Sequence, residues 1–286
     1  MLKKKLFIFG FGQVAEYFVK NQMIKNKIFL TSTKKTYIKK YSNKKIIVFY
    51  FKNKKSDKRI EKILKNSDYI LVSIPPNKYG DVVLKKFKPI LKRAKFKKLI
   101  YLSSTSVYGN HNGSWVNEKS KLKATTSMGK KRILAEKQWR KFNQNFNFDI
   151  SILRIAGIYS KENNVLKKIM KTKKYIKEKK YFSRIRIEDL VKIIDKMFKT
   201  KISNMILNAA DDKPSTNLDV ANYVAELLGI KKIRAVPISE FKNKMIKNFY
   251  KDSKKVSNRE MKKKLKFKLK FPNYKIGLKN LFYKSI

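Results

Sequence analysis

Short apolar runs alternate along this chain with stretches whose apolar residues recur every three or four positions. The runs are Leu6–Phe9, Ile28–Thr31, Ile46–Phe51, Tyr69–Ile74, Leu99–Ser103, Ile150–Ile155 and Met205–Asn208. Continuous rather than alternating apolarity is the mark of strands covered on both faces. Between them, Lys131–Phe142 and Leu190–Phe198 follow the helical period, and Leu218–Leu228 reads as one amphipathic helix ended by Gly229. Strands alternating with helices predict a doubly wound α/β fold of Rossmann type, with a parallel sheet and helices on both sides. We expect that domain over residues 1–212 and a smaller C-terminal lobe over 213–286, anchored by Phe267, Phe271, Tyr274 and Leu278. Lys167–Lys180 shows no clear period and reads as an inserted flap within 160–182.

The first run ends in Gly10-Phe11-Gly12-Gln13-Val14-Ala15, and Val14, Ala15, Phe18 and Val19 then fall on one helical face. That order is strand, tight turn, helix. Such a turn aims main-chain amides and a helix N-terminus outward, where a pyrophosphate can sit. Gly10 permits the turn, Gly12 admits phosphate to the main chain near Gln13 and Val14, and Ala15 keeps helix and strand close. The bland alternative is a tight turn in an unrelated α/β protein.

In dinucleotide folds a carboxylate about twenty residues after the glycines holds the ribose of NAD. Here that place reads Thr31-Ser32-Thr33-Lys34-Lys35, with hydroxyls and cations but no acid. Ser32, Thr33 and Lys34 suit a 2′-phosphate, which favours NADP over NAD. Against this stands the reading of Lys34 and Lys35 as ordinary solvated lysines. Ile74-Pro75-Pro76-Asn77 follows the fourth long run and would line the cofactor groove, stiffened by its prolines.

The formal net charge is +53, from 73 Lys and Arg against 20 Asp and Glu. Dense positive charge attracts phosphate backbones. The lysines, however, are spread over the whole chain and Arg is scarce beside Lys, so specific nucleic-acid recognition is not expected. Abundant Lys, Asn, Ile, Phe and Tyr with few Gly and Pro match a gene rich in A and T. At 286 residues and 42% hydrophobic, the chain suits a packed α/β domain with an appendage. No apolar window reaches membrane-spanning length, and Met1-Leu2-Lys3-Lys4-Lys5 runs straight into the first apolar run, so no cleavable signal is expected. Cysteine is absent and His111 is the one histidine, so no metal site is expected and a cytoplasmic location is the default.

Beyond the fifth run come Ser103-Ser104-Thr105-Ser106-Val107-Tyr108-Gly109, then Glu118, then Ser127-Met128-Gly129-Lys130-Lys131-Arg132. With Gly10, Gly12 and Ala15, these segments resemble the extended short-chain dehydrogenase/reductase superfamily, the branch of nucleotide-sugar epimerases and dehydratases. Leu153-Arg154-Ile155-Ala156-Gly157-Ile158-Tyr159, Arg186-Ile187-Glu188-Asp189-Leu190 and Asn208-Ala209-Ala210-Asp211-Asp212 extend the resemblance over nearly the full length. Late elements Val256-Ser257-Asn258 and Tyr274–Leu278 look like an atypical bacterial subgroup. The resemblance implies a nicotinamide cofactor, a small polar substrate with a nucleotide-linked one as a candidate, and room for a homodimer built on a helix bundle.

The resemblance also assigns residues. Family enzymes use a Ser or Thr at the end of this strand, here Ser104, with a Tyr-x-x-x-Lys pair on the next helix. The tyrosine aligns with Met128 and the lysine with Arg132. A thioether has no proton to transfer, and losing a general acid or base costs about 10² to 10⁴-fold in rate. Tyr108 and Tyr159 are candidates for a displaced hydroxyl, with a structural role as the alternative. Ser103 is expected at the cofactor. Arg154 is expected either at an anionic substrate or in a salt bridge to Glu188 or Asp189, acids that would cap the helix starting near Leu190. The two readings left open are an NADP(H)-dependent oxidoreductase or epimerase-like enzyme and a non-catalytic NADP(H)-binding sensor.

Overall fold

The structure is a computed structural model, and it describes residues 4–22, 26–41, 44–231, 233–240, 247 and 250–283. In chain order its main elements are β1 (Lys4–Phe9), α1 (Gln13–Gln22), β2 (Asn26–Ser32), β3 (Tyr37–Tyr41), β4 (Lys44–Lys52), β5 (Lys55–Ser56), α2 (Arg59–Lys65), β6 (Tyr69–Val72), α3 (Val82–Arg93) and β7 (Lys98–Ser104). There follow β8 (Trp115–Val116), α4 (Ser127–Phe146), β9 (Ile150–Ile155), β10 (Gly157–Tyr159), α5 (Val165–Thr172), β11 (Lys174–Ile176), β12 (Arg184–Arg186) and α6 (Ile187–Lys199). The chain finishes through β13 (Ile206–Ala209), α7 (Asn217–Leu228), β14 (Arg234–Val236), β15 (Lys255–Val256), α8 (Arg259–Leu265) and α9 (Tyr274–Tyr283).

Two compact units interleave along the sequence. The first comprises Met1–Ser103, Lys130–Arg154 and Val191–Ile206; the second comprises Ser104–Gly129, Ile155–Leu190 and Leu207–Ile286.

The first unit is built on a sheet ordered β9-β7-β6-β1-β2-β4-β3. β1 pairs in parallel with both β2 and β6, β2 with β4 and β6 with β7. The strand order therefore reverses beside β1. Leu6, Phe7, Ile8 and Phe9 are all buried, as a strand covered on both faces demands. One face carries Ala15, Phe18 and Val19 of α1 into the core. Phe9, Phe51 and Phe87 pack ring to ring at 5.2–6.0 Å in a cluster that includes Trp139.

Two features of this unit escape the apolar pattern. β3 runs antiparallel to β4 as an edge strand, and its sequence Tyr-Ile-Lys-Lys-Tyr is mostly exposed, so it shows no apolar run. Helix α4 is longer at both ends than Lys131–Phe142, because polar end turns carry no period to read.

In the second unit, α5, α7 and α9 close a core of Tyr159, Leu166, Ile169, Val220, Ala221, Val224, Tyr274, Leu278 and Leu281. Within the stretch expected as a flap, Lys167–Lys180, lie most of α5, which buries Leu166 and Ile169, and β11, which pairs with β14. Only two inward positions in a short lysine-rich helix leave too little signal for a period. Helix α7 follows its expected bounds, with a Thr216–Asp219 capping box at one end and Gly229 left-handed at the other. The C-terminal anchors Phe271, Tyr274 and Leu278 are buried as expected, while Phe267 is half-buried.

A buried ion pair ties β9 to α4. Arg154 and Glu136 are both almost fully buried, with Nη2 to Oε2 at 2.7 Å, and Ser103 donates its hydroxyl to Glu136 Oε1 at 2.6 Å. Removing one partner strands the other charge in the interior, which costs about 3–5 kcal/mol. Glu136→Leu should lose stability on that scale in denaturant titration. Glu136→Leu with Arg154→Met should recover most of it; a double variant as unstable as the single one would refute this account of the pair.

Candidate functional site

At the reversal point of the first unit, β1 ends in Gly10 with φ +96°, a conformation costly for any residue with a Cβ. Crowding adds to that, since a Cβ here would lie 2.8 Å from Ser73 Oγ. The turn is held from both neighbouring strands. Gly10 N–H donates to Thr31 Oγ1 at 2.9 Å, and the Ser73 hydroxyl donates to Phe9 C=O at 2.9 Å. Gly12 is the opposite case, because a Cβ there would have no neighbour within 4 Å. The first helical bond runs from Glu16 N–H to Gly12 C=O, so the amides ahead of Glu16 precede the helical ladder. An open approach to main-chain amides at a helix N-terminus is the geometry a diphosphate needs. Gln13 is exposed and Val14 half-buried at this end of α1.

Around the turn, Thr33, Lys34 and Lys35 are exposed beyond β2, and Ser32 Oγ accepts from Lys34 N–H at 3.2 Å. After β6, Ile74 is half-buried, Pro75 exposed and Pro76 buried. Strand β6 stops at Val72, short of the expected Ile74, and Ser73 gives both its amide and its hydroxyl to Phe9 C=O. Thr31 and Ser73 were not expected to matter here. Their signal in the sequence is only a hydroxyl at the C-terminal end of each strand flanking the glycine turn.

Other candidates of this unit have different occupations. Ser103, expected at the cofactor, gives its hydroxyl to Glu136 and is buried. Arg154, expected at a substrate or at Glu188 or Asp189, is buried in the pair with Glu136 instead. Glu136 lies one helical turn beyond Arg132, and an acid on the inward side of an otherwise basic helix was its sequence signal. Arg132 is half-buried; its Nη1 donates to Leu102 C=O and to Tyr101 Oη at 3.3 Å, and its guanidinium stands over the Tyr101 ring.

The second unit holds Ser104, Tyr108 and Met128. Ser104 Oγ accepts from Ser106 N–H at 3.2 Å and so caps the short turn Thr105–Tyr108. Tyr108 is fully buried and donates its hydroxyl to Asn208 Oδ1 at 2.7 Å, the structural role named as its alternative. Met128 is 50% exposed in the first turn of α4. Gly129 packs tightly there: a Cβ would stand 2.7 Å from Ser106 C=O. Tyr159 is buried in the core of this unit beneath the Arg186 guanidinium. Glu188 pairs with Arg186, and Asp189 accepts from the amides of Lys270 and Phe271.

Residues 87–210 match the model of the NAD dependent epimerase/dehydratase family. The match takes in Ser104, Met128, Arg132 and Arg154 and starts after the glycine turn. Among solved structures, a functionally unknown conserved protein from Silicibacter pomeroyi is 27% identical, with 99% of each chain covered and a TM-score of 0.84. UDP-glucuronic acid 4-epimerase from Bacillus cereus, in complex with NAD, is 14% identical over 98% of this chain and 96% of its own, with a TM-score of 0.77. UDP-N-acetylglucosamine 4-epimerase from Methanobrevibacter ruminantium M1, in complex with UDP-N-acetylmuramic acid, is 18% identical over 100% of both chains, with a TM-score of 0.76. The α/β fold expected from the motifs is thus the fold of these enzymes. No protein of curated function matches the chain. Among the described residues, no helix is long and apolar enough to cross a membrane.

One acid of the second unit is electrostatically distinctive. Asp211 is buried, Oδ1 accepts from Lys213 N–H, and Oδ2 has no hydrogen-bond partner among the described residues. Burial pushes its carboxyl up to about 8, against a downward pull from the Arg184 guanidinium. The folded chain then keeps a proton that the unfolded chain releases near pH 4, so stability falls as pH rises from about 4 to about 8. Asp211→Asn keeps the acceptor and removes the titration. Relative to wild type, it should gain at least about 1 kcal/mol between pH 5 and pH 9, read from unfolding midpoints. An unchanged difference would show that Asp211 ionises normally.

Proposed function

We propose that the chain binds NADP(H) in preference to NAD(H) and works as an oxidoreductase or epimerase-like enzyme on a small polar, nucleotide-linked substrate. The observation that carries the reading is the open main chain at Gly12 together with the acid-free end of β2. Gly12 and Val14 would meet the pyrophosphate through their amides, with Gln13 beside them. Ser32, Thr33 and Lys34 would receive a 2′-phosphate that an NAD-type carboxylate would repel. Ile74, Pro75 and Pro76 would form the groove wall. The nicotinamide supplies a hydride acceptor or donor when bound.

The proton side of the chemistry is unusual in this reading. Met128 stands where related enzymes place a phenol, and its thioether can neither give nor take a proton. Arg132 stays protonated and presents a planar fork where a lysine would offer one ammonium. Its bonds to Leu102 and Tyr101 hold that fork at the strand end, where it orients a ribose or substrate hydroxyl rather than tuning a phenol. Ser104 remains to contact a substrate oxygen. With Tyr108 held by Asn208, the transferred proton comes through water in this reading. The same Met128 and Arg132 favour a second reading, in which the chain binds NADP(H) without turnover and its occupancy reports redox state.

Gly12→Trp fills open space, so it should leave folding intact while weakening NADPH binding at least about tenfold by calorimetry. Equal affinity in the variant would remove the diphosphate assignment. Ser32→Asp with Lys34→Ala should shift preference from NADPH toward NADH, and unchanged selectivity would remove the 2′-phosphate argument. Turnover by the NADPH-loaded protein on UDP-sugars, followed by the reduced-nicotinamide absorbance, separates the enzyme from the sensor.

A further inference from the structure

Among the described residues of this lysine-rich chain, Lys98 and Lys254 are the buried lysines. Their surroundings differ. Lys98 Nζ donates to the carbonyls of Met197, Thr200 and Ile202 at 2.8–3.1 Å and pairs with Asp149 at 3.2 Å. That ammonium is fully engaged, as burial of a charge requires. Lys254 Nζ, in the second unit, has Asp252 Oδ2 at 3.2 Å and no further partner among the described residues. The other carboxylate oxygen, Asp252 Oδ1, has none among them. Burial pulls the Lys254 ammonium below the usual lysine range, against an upward pull from Asp252.

The main chain holds this pair in place as it runs into β15. Ser253, between the two, is tied on three sides. Its N–H donates to Asn110 Oδ1 at 2.9 Å, its C=O accepts from the amides of His111 and Gly113 at 3.0 Å, and its hydroxyl accepts from Tyr181 N–H at 3.1 Å. Asn110 follows the short turn that Ser104 caps, so the pair sits beside the chain that leaves Ser104 within the same unit. The side chains of Lys254 and Asp252 keep 11% and 10% of their surface exposed, which sets them just under the surface and within reach of a small ligand. Two needs are left open: ammonium hydrogens want an acceptor, and a carboxylate oxygen wants a donor. An anion answers the first and is repelled by Asp252; a cation answers the second and is repelled by Lys254. A neutral ligand with adjacent hydroxyls answers both, one oxygen accepting from Lys254 while its neighbour donates to Asp252.

We infer that Lys254 and Asp252 form a binding site for a vicinal diol, of the kind a sugar ring or a ribose carries. The inference rests on the reading of the substrate as polar and nucleotide-linked, and it names the part of that substrate these two residues hold. The ligand's hydroxyls complete a polar pair that the fold leaves half-satisfied, in surroundings where a hydrogen bond to a charged group counts for more than in water.

The test titrates the full chain by calorimetry with three probes. Glucose 1-phosphate carries a vicinal diol on its sugar and UDP carries one on its ribose. Thymidine 5′-diphosphate keeps a pyrimidine and a diphosphate but has no vicinal diol. Asp252→Asn with Lys254→Met removes both charges together, so neither is left buried alone. It should weaken glucose 1-phosphate, UDP or both at least about tenfold, as loss of hydrogen bonds to charged groups requires, and leave thymidine diphosphate within about twofold. A fall for glucose 1-phosphate assigns the sugar diol, and a fall for UDP the ribose diol. In wild type, a diol probe should also slow acetylation of Lys254 by acetic anhydride, read by mass spectrometry, and thymidine diphosphate should not; this readout decides the matter if the variant fails to fold. Equal weakening of thymidine diphosphate, no weakening of any probe, an unprotected Lys254, or no binding of either diol probe to wild type would overturn the proposal. NADPH affinity should stay within about twofold in the variant, because the Gly12 turn belongs to the first unit. An NADPH loss equal to that of UDP would make the pair part of the cofactor site and overturn the proposal too. A wild-type chain that binds a diol probe but not NADPH would refute the cofactor reading and leave the pair standing.

Discussion

A parallel sheet buried on both faces leaves its main chain exposed only at the strand ends, and the rest of this structure follows from that constraint. Leu6 to Phe9 lie wholly within the core, so the chain can offer polar groups to a ligand only after Phe9. The order reverses beside β1, so β2 and β6 both flank that exit and bring Thr31 and Ser73 to it. Those two hydroxyls hold Gly10 in a conformation with positive φ, and the turn they hold leaves Gly12 open at the start of α1. A ligand-binding geometry thus arises from backbone topology, with side chains acting mainly as braces.

Such bracing recurs where the family resemblance had suggested chemistry. Arg154, Ser103 and Glu136 form one buried polar group in the first unit, each partner satisfying another in a medium where an unpaired charge is costly. Tyr108 is similarly held by Asn208 in the second unit. Gly12, Gln13, Thr33, Lys34, Pro75 and Met128 stay exposed. The family model matches residues 87–210, and the chain shares its α/β fold with solved epimerases.

Charge acts on a different scale. A formal +53 spread over the chain creates general attraction for anions, which by itself selects no partner.

The seven apolar runs, the glycine turn and the helix closed by Gly229 were all legible in the sequence. Each rests on a local rule: continuous apolarity for a doubly covered strand, a helical period for an amphipathic helix, glycine for positive φ. The edge strand β3 and the helix α5 were not legible, since exposed or very short elements bury too few residues to impose a period. The partners of Arg154, Ser103 and Tyr108 were beyond reach for another reason. Arg154 and Glu136 are eighteen residues apart, Tyr108 and Asn208 a hundred, and no local pattern encodes which buried polar groups will meet. Sequence alone decided where the buried strands lie and what chemistry the chain lacks. Only the folded packing decided which of its remaining polar groups are braces and which still face a ligand.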